Sequence, residues 1–376
     1  MTINNCRVCF GNFFDEPLLR YDNMPKAAQH LPDADTVAFE TGVNLEVCQC
    51  MSCGLVQLNN EPVPYYKEVI RAAAFSEEMK IFRTKQFDDF VKRYSLKNKK
   101  VIEIGCGRGE YLELMKQFGI KAYGLEYAKD SVIQCVQNDL QVSEKYIDKS
   151  DEKINGGPFD AFFILNFLEH IPDPCTMLSG IHNNLSDDGI GLVEVPNFDM
   201  MLKNNLFSEF IGDHLFYFTK ETLANTLARN GFEILSCKEI WYDYIISAVV
   251  RKRKKMDVSN FDTQQAKIKS ELENYIEKFN KVAVWGAGHQ SFAILSLTKI
   301  SDKIDYVVDD ATFKQNNFTP ATHVPIVSSD KLRSNPVDAI IVMAASYSDE
   351  VAKKIRENFD NNIYVSILRD FGLEEK

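Results

Sequence analysis

The chain of 376 residues lacks any apolar run of membrane-spanning length. Its first residues also lack the basic and then apolar pattern of a secretory signal. The chain also has fewer basic than acidic residues, 43 against 54, which gives a net charge of −11. These absences argue against a membrane-spanning protein, a general nucleic-acid binder and a protein of anionic membrane surfaces. We therefore predict a cytoplasmic protein with no nucleic-acid or membrane partner.

Nine cysteines are present, and four of them form two pairs with the same spacing. The first pair is Cys6 and Cys9, and the second pair is Cys50 and Cys53. Two C-x-x-C turns can supply the four thiolates of one tetrahedral zinc site. Cys48 is an alternative ligand, but Cys50 and Cys53 repeat the first spacing. No histidine nearby completes an open site, so we predict a closed structural zinc; the alternative is four reduced thiols without metal.

A glycine-rich turn joins a predicted strand to a predicted helix in the middle of the chain. The apolar run 101–104 is typical of a buried parallel strand, and 111–118 carries apolar residues at helical spacing. Between them lie Gly105, Gly107 and Gly109. Glycines allow positive φ and let a ligand approach the main chain closely. The pattern therefore predicts a ligand site at this turn.

The charges around the turn distinguish two classes of cofactor. A second strand, 121–126, ends in Glu126, where doubly wound folds hold ribose hydroxyls. Glu103 lies two residues before the first glycine, where a carboxylate repels a pyrophosphate but pairs with a cationic amino-acid end. A nicotinamide site would need the longer G-x-G-x-x-G spacing. We predict S-adenosylmethionine (SAM) as the cofactor; the alternative is a glycine turn without a ligand.

Three segments are predicted along the chain. Residues 1–64 are predicted to form the zinc-binding module. The glycine turn resembles motif I of class I SAM-dependent methyltransferases, and this resemblance implies such a domain, with a helical lead-in, over residues 65–255. Residues 256–376 repeat the pattern of strand, glycine turn and helix. Their turn contains Gly286 and Gly288 but lacks a third glycine. Such a motif alone is weak evidence for a nucleotide-binding site. We favour a Rossmann-like domain without its own cofactor over a second nucleotide site.

Finer predictions concern the lead-in and the sheet of the middle segment. Residues 65–94 are predicted to be mainly helical, with one face marked by a spacing of four. Residues 143–157 are predicted to form a loop or a short irregular helix, and a closing antiparallel strand pair is predicted after residue 231. The side chains that define the helix face are Phe82, Gln86, Phe90 and Tyr94.

This order of segments resembles the SAM-dependent sugar C-methyltransferases of bacterial deoxysugar pathways, over nearly the whole chain. The resemblance implies an α/β fold: a class I methyltransferase Rossmann-like sheet, with a small N-terminal zinc module and a second Rossmann-like C-terminal domain. It also implies a nucleotide-linked sugar as the small-molecule substrate. The family methylates C3 of 4-keto-6-deoxysugars, as part of carbohydrate biosynthesis.

Three local matches carry residue roles over from the family. The Glu-His pair that ends at His170 looks like the pair after the fourth methyltransferase strand, and Asp213-His214-Leu-Phe-Tyr-Phe is similar to the family's Glu-His-Leu-x-Tyr-Phe, whose His is the proposed base. Tyr65-x-x-Glu68 resembles a Tyr/Glu pair near the sugar. The implied catalytic residues are His214, His170, Asp213, Tyr65 and Glu68. The assigned cofactor contacts are Glu103, Gly105, Cys106, Gly107, Gly109, Glu126, Tyr127 and Asn166.

Methylation of a carbon beside a ketone needs a base, and histidine titrates near neutral pH. The alternative for His214 is a hydrogen-bonded core histidine, and for His170 a loop residue that orders a Pro-rich turn. The chain departs from the family where Ile211 replaces a Tyr, Asp213 a Glu, and Tyr244-Ile-Ile-Ser-Ala a His-Gly-Gly-Ser-Leu. An O- or N-methyltransferase of a small metabolite therefore stays open, as does, less favoured, a non-catalytic nucleotide-binding protein.

Overall fold

The structure, a computed structural model, describes residues 3–26, 28–29, 31–68, 76–359, 362–370 and 372–375. The chain divides into two compact units, Met1–Lys254 and Lys255–Lys376. The segment predicted as a zinc module lies in the first unit, together with the segment predicted as the methyltransferase domain. None of the helices in the described ranges has the length and apolar character needed to span a bilayer.

The first unit contains two sheets and six α-helices within its described residues. Its strands are β1 (Leu19–Met24), β2 (Val43–Gln49), β3 (Val56–Leu58), β4 (Lys100–Ile104), β5 (Lys121–Glu126), β6 (Gln141–Glu144), β7 (Phe159–Leu165), β8 (Leu185–Pro196), β9 (Phe216–Tyr217), β10 (Phe232–Ile240) and β11 (Ile245–Lys252). Its α-helices are α1 (Glu77–Arg93), α2 (Glu110–Lys116), α3 (Lys129–Gln137), α4 (Pro174–Asn183), α5 (Phe198–Lys203) and α6 (Lys220–Arg229).

The larger sheet has seven strands in the order β6-β5-β4-β7-β8-β11-β10. The strands from β6 to β8 are parallel, and β11 and β10 close the sheet in antiparallel pairing. The middle strands are almost wholly apolar because both faces are covered, as in β7, where six of seven residues are buried. The fold prediction is confirmed. The predicted loop at 143–157 was wrong at its start, since Ser143 and Glu144 pair with β5 as an edge strand.

The smaller sheet has the order β1-β2-β3-β9, so three N-terminal strands pair with one that follows the larger sheet's parallel strands. Gln57 in β3 pairs with Phe216 in β9. The sheet shares a core with residues of the 198–217 segment, because Leu45, Val47 and Leu58 cluster with Phe198 and Tyr217. The segment begins with the short helix α5.

The lead-in helix α1 begins where the side chain of Ser76 accepts a hydrogen bond from the Met79 amide. Residues 69–75 of the predicted helix lie outside the described residues. Of the predicted face only Phe90 is fully buried, because a strict spacing of four drifts about 40° per step around a helix of 3.6 residues per turn. The side chains that α1 buries are Arg83, Phe87, Phe90 and Val91.

Arg83 brings a charge into the interior of the first unit. Its guanidinium donates to the carboxylate of Glu194 in β8, and both side chains have no solvent exposure. Gln86 and Ser247 also donate to the same carboxylate, with Ser247 Oγ at 2.9 Å. Burial by itself lowers the pKa of Arg83, but the charges and hydrogen bonds of Glu194 and Tyr111 together outweigh it, and the pKa is raised. The pair therefore fixes α1 against β8 near the carboxyl end of that strand.

The second unit is a six-stranded sheet in the order β14-β13-β12-β15-β16-β17. Its elements are β12 (Val282–Trp285), β13 (Tyr306–Val308), β14 (Ile326–Val327), β15 (Ala339–Val342), β16 (Tyr364–Arg369), β17 (Gly372–Glu375), α7 (Ser259–Ile276), α8 (His289–Thr298), α9 (Lys331–Ser334) and α10 (Ser348–Asn358). All pairs are parallel except β16 with β17. The predicted strand, glycine turn and helix correspond to β12, the turn at Gly286 and α8, and further strands extend the sheet on both sides of β12.

The turn after β12 brings the main chain close to the neighbouring strand. A Cβ on Gly286, whose φ is +119°, would come within 2.6 Å of the Met343 carbonyl oxygen. The Ala287 amide donates to the carboxylate of Asp309 at 2.8 Å. The glycine at this position therefore serves the packing of two strand ends, and the expected absence of a cofactor from this turn stays a prediction.

Removing one partner of the buried ion pair should strongly destabilise the first unit. We expect Arg83→Met to lower the free energy of unfolding by about 3–5 kcal/mol, because Glu194 is left buried without its countercharge. The double variant Arg83→Met, Glu194→Met should lose less than the sum of the two single losses. Urea denaturation measures both.

Lys92→Met is the matched control, since it removes an exposed pair with Asp88 from the same helix. Its urea midpoint should equal that of the unchanged protein. An Arg83→Met midpoint equal to the control's would contradict a structural role for the buried pair.

Candidate active site

The glycine turn lies where β4 leaves the sheet, next to the exit of β7. Gly105, Gly107 and Gly109 all have positive φ, at +68°, +57° and +85°. A Cβ on Gly105 would come within 2.7 Å of the Phe167 ring, which lies over the turn. Only glycine allows both this backbone and this contact, so the turn is shaped as the sequence predicts.

Glu126, at the end of β5, holds this turn through its carboxylate. One oxygen accepts from the Gly107 amide at 2.8 Å, and the other accepts from the amides of Tyr127 and Ala128 at 2.9 and 2.8 Å. A carboxylate has about four acceptor positions, so one remains for a ribose hydroxyl. Glu126 thus organises the main chain as well as offering a ligand contact, which the sequence did not indicate.

The other predicted cofactor contacts occupy different environments. Glu103 is fully buried within β4, and Tyr127 is exposed at the surface. The side chain of Cys106 is buried among Leu112, Cys135 and Leu140. The cofactor contact at Cys106 stays a prediction and would come from its main chain, since its side chain packs into the core beneath the turn.

Asn166 follows β7 and carries an unused polar atom toward this edge of the sheet. Its backbone is left-handed, with φ at +49°. Its amide carbonyl oxygen is buried and has no hydrogen-bond partner within the described part of the chain. Buried polar atoms usually have partners, so this oxygen fits a donor from a bound cofactor. The orphaned oxygen and the glycine turn together fit SAM.

A lysine ammonium occupies the mouth of this cleft. Lys67 Nζ lies 4.6 Å from the ring centroid of Tyr146, 5.3 Å from that of Tyr127 and 5.9 Å from that of Tyr66. Cations within about 6 Å of an aromatic face are attracted by its quadrupole. A small pocket continues inward from this cage. It is lined by Lys67, Ile104, Gly105, Leu125, Glu126, Tyr127, Lys145, Tyr146, Ile147, Phe167 and Met177.

The predicted catalytic histidines lie side by side. His170 ends the 3₁₀ helix Leu168–His170 just after β7, and its ring centroid is 4.8 Å from that of His214 in an edge-on arrangement. His170 Nδ1 lies 2.7 Å from the main-chain oxygen of Asp213. A carbonyl oxygen only accepts, so Nδ1 carries the hydrogen and Nε2 presents its lone pair. The main chain thereby fixes the tautomer of His170.

Burial keeps both imidazoles in their neutral form. It lowers the pKa of His170, and with a smaller contribution from His170 it lowers the pKa of His214 to about 3. Transfer of a proton to His214 therefore needs a compensating negative charge nearby. Before a substrate binds, the imidazole of His214 is therefore neutral, and one of its ring nitrogens can accept a proton.

The carboxylate of Asp213 is engaged by Tyr65 and by a main-chain amide. It accepts from the hydroxyl of Tyr65 at 2.6 Å and from the amide of Ala28 at 3.1 Å. Burial, together with this carboxylate, raises the pKa of Tyr65 to about 12. The structure therefore brings Tyr65 and Asp213 together, whereas Glu68 is exposed on the neighbouring 3₁₀ turn. Asp213 and His214 are successive residues, but the Asp213 carboxylate accepts from Tyr65 whereas the His214 ring packs against His170.

The four predicted metal ligands converge in space. Their sulfurs lie within 4.8 Å of one another, with Cys6 and Cys53 at 3.7 Å and Cys9 and Cys50 at 3.3 Å. Sulfurs around a tetrahedral zinc at bonds of about 2.3 Å are separated by roughly 3.8 Å, so the geometry fits. The amides of Val8, Gly11 and Ser52 donate to three of these sulfurs at 3.4 Å.

Electrostatics also fits a dication at this cluster. Burial raises the pKa of the Cys53 thiol, and its three neighbouring cysteines raise it further. Four thiolates cannot share such a site without a positive charge, which a metal ion supplies. Cys48 is buried but is not among the clustered sulfurs.

Sequence patterns missed several residues of this region. Tyr66 and Lys67 were not predicted as site residues, although they lie between Tyr65 and Glu68. Tyr146 was not predicted either, because it lies in the segment predicted to be a loop. A usable signal existed for Tyr146, because it follows the exit of a parallel strand and such exits border ligand sites. No comparable signal identified Phe167, whose ring covers Gly105 only through the approach of two strand ends.

Two family models match the chain. One, described as a methyltransferase domain, matches residues 79–237, and the other, described as a C-methyltransferase C-terminal domain, matches residues 251–365. The C-methyltransferase NovU of Streptomyces niveus is 23% identical over 96% of this chain and 94% of its own length. A ubiquinone biosynthesis O-methyltransferase of Chromobacterium violaceum is 32% identical, over 23% of this chain and 40% of its own length.

Solved structures of methyltransferases are also similar. A SAM-dependent methyltransferase from Clostridium acetobutylicum is 13% identical, covers 50% of this chain and 96% of its own, and has a TM-score of 0.39. A SAM-dependent methyltransferase from Mesorhizobium loti is 14% identical, covers 45% of this chain and 99% of its own, and has a TM-score of 0.37.

The strand order, the glycine turn and the matching family models define a class I SAM-dependent methyltransferase. Over almost its whole length, including the C-terminal unit, the chain resembles the bacterial sugar C-methyltransferases.

Lys67 should compete with SAM for the aromatic cage. We expect Lys67→Ala to increase SAM affinity roughly 2- to 5-fold in calorimetry, because a cation–π contact of about 0.5–1 kcal/mol no longer has to be given up. Glu126→Ala should weaken binding, since it loses a carboxylate that holds the turn. Lys97→Ala, at an exposed lysine outside the cage, should bind SAM as the unchanged protein does. Weaker binding by Lys67→Ala would mean that this lysine contacts SAM instead of excluding it.

Proposed function

We propose that the protein transfers the methyl group of SAM to C3 of a nucleotide-linked 4-keto sugar, with His214 as the base. The observation that carries this proposal is a neutral, unprotonated histidine held beside the carboxyl edge of the parallel sheet. The resemblance to C-methyltransferases along the whole chain supports the acceptor class. A nucleotide-linked sugar in bacterial glycan or antibiotic-sugar biosynthesis is the favoured substrate.

The topology supports a shared crevice for cofactor and substrate. β4 and β7 are neighbours and run parallel, so the Gly105 turn and the Glu169–His170 pair leave the sheet at the same edge. His214 contacts His170, and Tyr65 reaches Asp213 in the next segment. A sugar bound in this crevice would lie near the imidazole of His214, as the base, and near the phenol of Tyr65.

Each proposed residue has a definable task in the reaction. His214 removes the proton from the carbon next to the ketone, and the electron pair left behind forms the enolate. Bound SAM supplies an electrophilic methyl group. His170, fixed through the Asp213 carbonyl, packs against His214 and limits its rotation. Tyr65, whose hydroxyl is engaged by Asp213, helps hold the sugar in place.

The depressed pKa of His214 is compatible with this role. Burial disfavours an imidazolium at His214 before a substrate binds, and the neighbouring His170 adds to this effect. Enolate formation creates a negative charge at the moment that His214 gains its proton. The two charges appear together as a pair, and the site therefore favours proton transfer only when the acidic carbon is in place.

We also propose that Cys6, Cys9, Cys50 and Cys53 bind one structural zinc ion. This site would act on catalysis through the backbone. β3 follows the second cysteine pair and pairs with β9, and β9 begins two residues after His214. The zinc would thus stabilise the strand against which the base segment is fixed.

Transfer to a sugar oxygen is the second candidate. One base serves either acceptor, and the local similarity to O-methyltransferases supports this alternative. The chain also lacks the family's Tyr at Ile211. The two candidates differ in whether the acceptor carbon loses a proton to solvent.

His214→Asn should separate chemistry from binding. We expect SAM affinity to persist in calorimetry, and turnover of a nucleotide-linked 4-keto-6-deoxysugar to fall about 100-fold or more, as for the loss of a general base. In deuterium oxide the unchanged protein should exchange the C3 proton, and the variant should not. His182→Asn, outside the site, is the control. Full activity of the His214 variant would mean that His214 is a core histidine and not the base. Methylation by the unchanged protein without deuterium exchange at C3 would favour an oxygen acceptor.

Metal content provides an independent test of the cysteine assignment. Elemental analysis should find about one zinc per chain, and Cys50→Ser should lose it because three thiolates bind zinc less tightly than four. Cys48→Ser is the matched control, since its sulfur is a near neighbour outside the cluster, and it should keep the zinc. Retention of zinc by Cys50→Ser, or its absence from the folded unchanged protein, would contradict the assignment.

A further inference from the structure

A second group of possible metal ligands lies away from the cysteines. Glu169, His170 and His214 each place one donor atom within 4.8 Å of the others. Glu169 and His170 are buried, at 1% and 7% exposure, and His214 is only partly exposed. Two imidazoles and one carboxylate thus converge in a largely dry position at the edge of the sheet.

The orientation of His170 is that of a metal ligand. Its Nδ1–H donates to the Asp213 carbonyl at 2.7 Å, which leaves the Nε2 lone pair directed elsewhere. Metal-binding histidines typically donate their second ring N–H to a carbonyl or carboxylate in this way. His170 Nε2 lies 3.8 Å from a carboxylate oxygen of Glu169, so the two donors already face one another.

The spacing admits an ion after a small adjustment. Donors bound to a tetrahedral zinc at about 2.0–2.2 Å are separated by roughly 3.4 Å, so no pair has to close by more than about 1.4 Å. The main-chain amides of both histidines are held by hydrogen bonds, so we expect the side chains to make this movement. Nitrogen donors select borderline ions such as Zn²⁺ and Co²⁺ over Mg²⁺ and Ca²⁺, which prefer oxygen.

We propose that Glu169, His170 and His214 form a second metal site, which takes a borderline divalent cation and keeps at least one coordination position open. Three protein ligands with an open fourth position distinguish it from the closed four-cysteine cluster. The metal and a proton use the same lone pair of His214. Bound metal therefore blocks proton abstraction, a consequence that rests on the proposed role of His214 as the base.

Cobalt titration distinguishes the two sites directly. The probe is Co²⁺ alone, added to protein whose cysteine cluster already holds zinc. We expect one further equivalent to bind with weak visible d–d bands and without a sulfur-to-cobalt charge-transfer band. His170→Ala and His214→Ala should each weaken this binding by at least about 100-fold, since each loses one of three ligands. His182→Ala removes a histidine outside the cluster and should bind like the unchanged protein.

Unchanged SAM affinity of the two cluster variants shows that they are folded. If His170→Ala loses SAM affinity, the cobalt affinity of His214→Ala alone tests the site. His214 is less buried than His170, so its replacement should disturb the fold less. The site is refuted if no second equivalent binds, if only a sulfur-to-cobalt band appears, or if binding survives both substitutions. Equal loss in His182→Ala would refute it as well.

Activity assays separate this inference from the proposed function. Zn²⁺ at the concentration that fills the second site should slow methyl transfer, and a chelator too weak to empty the cysteine cluster should restore it. If the ion binds through both histidines and turnover is unchanged, the metal site stands and His214 is not the base. If no second ion binds while His214→Asn still abolishes turnover, the base stands and the metal site fails.

Discussion

The main chain from Asp213 to Leu215 connects the two sheets of the first unit, and the candidate active site depends on it. The Asp213 carbonyl accepts from His170, and the Leu215 amide donates to the Glu169 carbonyl at 2.8 Å. On the other side, the Leu215 carbonyl accepts from the Leu58 amide in β3 at 2.9 Å. His214 lies between these anchors. Its position is therefore set by backbone hydrogen bonds on both sides and needs no strong contact of its own side chain.

Charge in this interior is either paired or absent. Arg83 neutralises Glu194 out of solvent, the Tyr65 hydroxyl donates to Asp213, and the two histidines are uncharged. A site as buried as this one responds strongly to any charge that a substrate, a proton or a metal ion introduces, because water screens it little. The same two imidazoles can thus serve proton transfer or metal binding, but not both at once.

The cofactor cleft is filled by the protein's own side chains. The Phe167 ring covers the Gly105 turn, and the Lys67 ammonium lies among the rings of Tyr66, Tyr127 and Tyr146. We therefore expect SAM binding to exchange contacts: the cation–π interactions of Lys67 are lost as those of the ligand form. Lys67 is two residues from Tyr65, whose hydroxyl bonds to Asp213. A movement of Lys67 therefore takes place close to the residues proposed to hold the substrate.

Local sequence was sufficient for the glycine turn, the acids at the exits of β4 and β5, the two cysteine pairs and the order of the strands. Each of these follows from residue type at short range: positive φ demands glycine, two-residue spacing aligns sulfurs, and continuous apolar runs form buried parallel strands. The edge strand β6 and the face of α1 were mistaken because short polar strands and near-fourfold spacings carry little periodic information. Tertiary structure alone decided that Arg83 meets Glu194, 111 residues away, and that Tyr65 meets Asp213, 148 residues away. Such contacts depend on helix rotation, strand register and the direction of successive side chains, which no local pattern encodes.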